Sequence, residues 1–97
     1  MATEVFSPIK QSLTEIRQWD FDFNPDLPSG VTVTSAVATH TPPSGTASTP
    51  TVGSDTENVV PVMLGPLTVV GMHVLSCVAT LSDNELSEII LFILVIE

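Results

Sequence analysis

The sequence predicts an all-β sandwich, two sheets of short strands sharing one core. Three observations carry that reading. Segments of strand length alternate apolar and polar residues, and turn residues punctuate the chain about every ten positions. Polarity comes from Thr and Ser more than from charge: hydrophobic residues make up 43% and charged residues 13%. That trade favours strands, because Thr is β-branched and suits a half-exposed pleated surface. Disordered chains combine low hydrophobicity with high charge, and this chain shows the reverse. Its 97 residues make one domain, burying roughly 60 to 65% of the surface the unfolded chain would expose.

Residues 1–13 are expected as an N-terminal arm or edge strand, and residues 14–97 as the sandwich domain. In the arm, Ser7-Pro8 offers a helix start with Ile9, Leu13 and Ile16 on one face. The rival is an extended edge strand, where Pro8 needs no ladder partner. Glu15 to Phe23 is a strand: Trp19, Phe21 and Phe23 alternate with Gln18, Asp20 and Asp22. Asn24-Pro25-Asp26 and Pro28-Ser29-Gly30 mark a loop. Val31 to Thr39 alternates again, with Val31, Val33 and Val37 on one face. His40 to Glu57 is rich in Thr, Ser, Pro and Gly, read as loops with a short edge strand within Ala47 to Val52. Asn58 to Leu64 is a further strand, ended by Gly65-Pro66.

Leu67 to Leu81 and Leu86 to Ile96 form a terminal hairpin turning at Ser82-Asp83-Asn84-Glu85. A helix is the rival for the last segment, since Ser82 and Glu85 fit a capping box and Leu86, Ile89, Ile90, Ile93 and Leu94 fall at helical spacing. The β-branched Ile89, Ile90, Ile93, Val95 and Ile96 favour strand. About seven short strands with regular turns describe an immunoglobulin-like β-sandwich with an extended N-terminal arm. The core is expected to hold Trp19, Phe21, Phe23, Val31, Val33, Leu75 and Cys77.

Charge narrows the partners. The net charge is −9, with Lys10 and Arg17 the two cations. Displacing counterions from phosphates takes several Lys or Arg, so no nucleic acid is expected, and no anionic membrane surface. Cys77 is the single cysteine, which rules out an intrachain disulfide. Met1-Ala2-Thr3-Glu4-Val5 has neither basic n-region nor apolar h-region, so no signal peptide is expected. The apolar run Ile89 to Ile96 falls short of the roughly 20 residues that span a bilayer as helix.

No enzyme site is expected. His40, beside a Pro-rich segment, reads as a solvated loop residue. His73, inside an apolar strand, reads as a partly buried structural histidine with its polar atoms satisfied. A Cys77–His73 nucleophilic pair is disfavoured, because residues four apart on a strand lie roughly 13 Å apart. Asp20, Asp22 and Asp26 match no EF-hand loop and read as solvated acids, so neither metal nor cofactor is expected. Cys77 reads as a small core hydrophobe.

One feature exceeds what a small sandwich requires. Ile89, Leu91, Ile93 and Val95 point one way, Ile90, Phe92, Leu94 and Ile96 the other, and both faces want burial. Exposing four such side chains forgoes about 1.5 to 3 kcal/mol each, and patches of that kind mark interfaces. Ile89, Leu91, Ile93 and Val95 are the candidate protein interface, covered by a partner or a second copy. The alternative is that the leader, Val5 to Leu13, folds back over this face.

The layout resembles a group of small tailed-phage structural proteins with an immunoglobulin-like fold, of the head decoration, cement or fibre-associated type. The resemblance rests on Gln18-Trp19-Asp20-Phe21-Asp22-Phe23, then Gly30-Val31-Thr32-Val33-Thr34-Ser35, then a loop region of small residues. It continues through the segment from Gly71 to Ser82 and the terminal apolar strand, covering about Lys10 to Glu97. Such proteins place an aromatic where His73 stands and a Gly in the last hairpin. The resemblance implies a virion structural protein on the capsid surface, assembled in the host cytoplasm, a cement or decoration protein that reinforces contacts between major capsid subunits. It would act in many copies or as a homo-oligomer. The other reading is a tail- or fibre-associated adhesion module that binds through its loops.

Overall fold

A computed structural model describes the backbone of residues 3–97 and the side chains of residues 9–97; Met1 and Ala2 of the expected arm lie outside the described residues. Among the described residues seven strands follow one another: β1 (Thr3–Ser12), β2 (Arg17–Asp22), β3 (Val33–Thr41), β4 (Thr51–Val52), β5 (Val59–Leu64), β6 (Gly71–Leu81) and β7 (Leu86–Ile96). They form a four-stranded sheet, β1-β7-β6-β3, and a three-stranded sheet, β2-β5-β4. The two sheets enclose one core. No α-helix forms among the described residues, so both helical rivals fall to the strand reading.

The core is built from inward-facing residues of both sheets. Phe21 and Phe23 meet Val60, Val62 and Leu64 from the smaller sheet, and Leu75, Cys77, Ala79, Ile89, Ile93 and Val95 from the larger. Five of the seven expected core residues are buried there: Phe21, Phe23, Val33, Leu75 and Cys77. Trp19 and Val31 pack against its margin, half-buried. Trp19 also lies under the Arg17 guanidinium, 4.9 Å from the ring centre.

The leader joins the larger sheet at its edge. β1 runs parallel to β7, pairing Thr3 with Glu88 and Ser12 with Ile96, with a register break between Phe6 and Ile9 that takes in Pro8. Pro8 supplies no N–H to the ladder, so a break at the sheet edge accommodates it. β1 therefore widens the sheet, and its backbone does not lie across the sheet's outer face.

Two local readings change. In β3 the register shifts between Val33 and Ser35. The extra residue reverses the alternation downstream, so Ala38 turns into the core while Val37 faces out, 62% exposed. The strand also runs on to Thr41, which makes His40 a strand residue on the inner face. At the far hairpin the Leu81 N–H bonds the Glu85 carbonyl at 2.8 Å and the Asn84 N–H bonds the Leu81 carbonyl at 2.9 Å. Asn84 takes φ +69° there. Asn tolerates that left-handed conformation and fills the role a glycine would otherwise take.

Candidate functional site

Two surfaces carry chemistry beyond the core. The first is the outer face of the four-stranded sheet. Because side chains alternate, the residues left outside on β6 and β7 are Met72, Val74, Ser76, Val78 and Thr80, and Leu86, Glu88, Ile90, Phe92, Leu94 and Ile96. The register sets them side by side: Met72 beside Leu94, Val74 beside Phe92, Ser76 beside Ile90. Val37 extends the stripe across β3, where it pairs with Val78. Lys10 of β1 flanks Leu94 on the other side. Val74, Val78, Ile90, Phe92 and Leu94 are half-buried, while Val37, Met72 and Ile96 stand exposed.

This reverses the face expected from sequence. Ile89, Ile93 and Val95 are fully buried in the core, and Leu91 packs against it. They are the side chains that hold the two sheets together. The opposite set, Ile90, Phe92, Leu94 and Ile96, is the one turned outward. The sequence could not choose between them, since both sets are equally apolar. The deciding facts are the register of β7 on β6 and the place of Ser87, which is buried on the inner face.

The second surface is a groove of about 750 Å³ at one end of the sandwich. Its walls are the 42–51 segment, with Ser44, Thr46 and Ser48, and the 65–69 segment; Met63 and Leu64 also line it. His40 and His73 lie between the walls, 9% and 1% exposed. His40 Nε2 is 2.7 Å from His73 Nδ1. The rings are parallel within 3° with centroids 5.0 Å apart, the separation of two imidazoles laid end to end across a short hydrogen bond.

The proton positions follow from chemistry. His73 Nε2 lies 2.6 Å from the Val69 carbonyl oxygen, which can only accept, so Nε2 carries the hydrogen and Nδ1 accepts from His40 Nε2–H. His40 Nδ1 is then an acceptor for the Ser48 hydroxyl, 3.4 Å away. The result is one directed chain, Ser48 to His40 to His73 to Val69. Burial first, and the nearby His73 second, hold the His40 pKa below its ordinary value.

His40 is thus buried and bonded, and the solvated-loop reading is corrected. A sign of it lay in Ala36, Ala38 and His40, which alternate on one face once the bulge is placed. His73 is the satisfied structural histidine expected. Cys77 is buried between Ala38 and Ile89 in the register, with its thiol pKa pushed up to about 12 by desolvation. Asp22 accepts from the backbone N–H and side-chain amide of Asn24, and Asp20 from Gln18, so both are engaged locally. Among the described residues no group of three or more His, Cys, Asp or Glu stands where it could hold a metal ion.

Charge is sorted along the molecule. Asp22, Asp26, Asp55, Glu57, Asp83 and Glu85 fall in or beside the loops at the end remote from the histidines, while Lys10 and Arg17 lie toward the groove end. On the apolar stripe itself Glu88 is the one acid among the described residues. No protein-family model matches this sequence, and a search of curated proteins finds no match.

Proposed function

We propose that this chain is a non-enzymatic structural domain, immunoglobulin-like in type, that serves as a virion cement or decoration protein bound to major capsid subunits. The observation that carries the reading is the outer stripe Met72, Val74, Val78, Ile90, Phe92 and Leu94, beside which the described backbone of the arm pairs as an edge strand. An apolar stripe across a sheet face is a surface that another polypeptide buries at a gain.

The distribution of charge supports the same reading. Most carboxylates stand away from the stripe, so a domain of net charge −9 keeps a soluble outer end while it docks by a nearly uncharged face. The layout shared with small tailed-phage structural proteins supplies the class of partner. A cement protein bridges neighbouring shell subunits in many copies, and a short, elongated sandwich of 43 × 21 × 21 Å suits that use.

The test is to purify particles from cells producing this chain and its capsid subunit, then count copies by quantitative mass spectrometry. A fixed ratio to the shell subunit, lost when Phe92 is replaced by Lys, is the expected result. Absence from the particles, or a copy number that follows the tail, would overturn the capsid assignment.

A further inference from the structure

We infer that the His40–His73 pair is an acid-sensitive latch, holding the two walls of the end groove together at neutral pH and releasing them in mild acid. The hydrogen-bonded chain runs from wall to wall: Ser48 belongs to the 42–51 wall and Val69 to the 65–69 wall. Apart from this chain, the first wall is tied to β3 by the paired backbone bonds between His40 and Ser48, at 2.8 and 2.9 Å. The second wall is anchored by the Leu67 N–H on the Leu13 carbonyl. Each bond of the side-chain chain holds one proton, and each ring nitrogen has one partner.

An added proton has no good place. At the central bond it sets N–H against N–H. At His40 Nδ1 it removes the acceptor that the Ser48 hydroxyl uses; the hydroxyl can turn to accept, but a buried cation remains. Among the described residues no carboxylate lines the groove around that cation. The 42–51 wall contributes hydroxyls and prolines, the end of β5 contributes Met63 and Leu64, and the 65–69 wall contributes Leu67, Thr68 and Val69. From β6 the facing group is His73, the one titratable partner lining the groove. Lys10, Glu15, Arg17 and Glu97, the described charged residues at or near this end, do not line it.

The direction of the effect follows. The folded His40 binds its proton less readily than a free histidine. Above the ordinary value of about 6.5 neither open nor closed form takes the proton, and the latch is intact. As the pH falls below that value the open form takes it first. Opening then gains up to about tenfold per pH unit, until the pKa of the closed form is reached. Acid meanwhile neutralises part of the net charge of −9 and eases repulsion elsewhere, so the latch must be read locally and against a variant with no titratable group at position 40.

That variant is His40→Gln, whose side-chain amide keeps a donor for His73 Nδ1. The experiment is native-state hydrogen exchange of the full chain at about pH 7.5, 6.5 and 5.5, corrected for the intrinsic rate. In the parent the Ser48 and His40 amides should exchange about fivefold faster, after correction, at the lowest pH than at the middle one. Leu75 and Val95 should not follow, and His40→Gln should show no such rise. Equal behaviour of parent and variant, or core amides rising in step with the groove, would overturn the latch. Should the variant fail to fold, ring-nitrogen shifts of the parent decide. A His40 that titrates at the ordinary value, with the Ser48 amide unmoved, also overturns it.

Discussion

Gln11 accepts a hydrogen bond from the Trp19 indole N–H at 2.9 Å, across the corner where the chain leaves one sheet for the other. The same side chain donates to the Leu64 carbonyl at 2.9 Å and to the Glu15 carbonyl at 3.1 Å. Gln11 is 1% exposed, so one buried amide satisfies groups from β2, β5 and the connecting turn. Removing it should be costly because its partners stay behind. Gln11→Ala is expected to destabilise the domain by about 1 to 3 kcal/mol, the penalty of buried polar groups left unpaired. Urea unfolding measures it; a midpoint unchanged from the parent would show that the corner is held by packing alone.

Gly65 closes the same corner. It sits at φ +117°, a conformation that L side chains avoid, and a Cβ there would collide with the Glu15 carbonyl oxygen. Gly65→Ala is expected to cost about 1 to 3 kcal/mol of strain. Since Glu15 is also a partner of Gln11, the double variant with Gln11→Ala should lose less than the sum of the two singles. Strict additivity in thermal unfolding would mean that the two residues act separately.

Cys77 is fully buried, and its raised pKa has two consequences. The native thiol should resist a bulky maleimide at neutral pH, with labelling tracking global unfolding. The fold should also weaken in alkali. Above the unfolded value near 9 the unfolded chain loses the thiol proton while the folded one keeps it to about 12, so stability falls across that window. Cys77→Ser should remove this alkaline loss, at a cost of about 1 to 3 kcal/mol for a buried hydroxyl without a partner. An alkaline profile identical to the parent's would assign the loss to other groups.

Period-two alternation was legible wherever one face is polar, and it placed Trp19 and Phe21 on β2 and Phe23, just past its end, on the same side. It failed where a local irregularity or a two-sided apolar run hid the phase. The bulge after Val33 lies in Thr34-Ser35, which read as ordinary strand, so Val37 was expected on the face of Val31 and Val33, while His40, beside a Pro-rich segment, was expected in a loop. The histidine chain was invisible for the same reason, since it joins residues 33 positions apart on strands whose register no local signal states. In β7 the sequence showed that two faces needed cover but not which was which. The core takes whichever set aligns with Leu75 and Cys77, and that is decided by pairing with β6.

Phe92 and Ile93 are neighbours on β7 with opposite surroundings, which makes them the sharpest test of the docking surface. Ile93 is fully buried opposite His73 in the ladder. A lysine there strands a charge in the core at a cost of several kcal/mol, a large part of a small domain's stability. Ile93→Lys should therefore fail to fold, visible as loss of the β-type circular dichroism. Phe92 is half-buried on the outer stripe, where a lysine stem lies along Val74 and its ammonium reaches water. Phe92→Lys should keep the parent's spectrum and melt within a few degrees of it, yet no longer sediment with assembled particles. Ile90→Lys should behave as Phe92→Lys does. If both outer variants fold and still assemble like the parent, the stripe is not the docking surface. If instead they unfold the isolated chain, the stripe works for the fold and the partner meets the domain elsewhere.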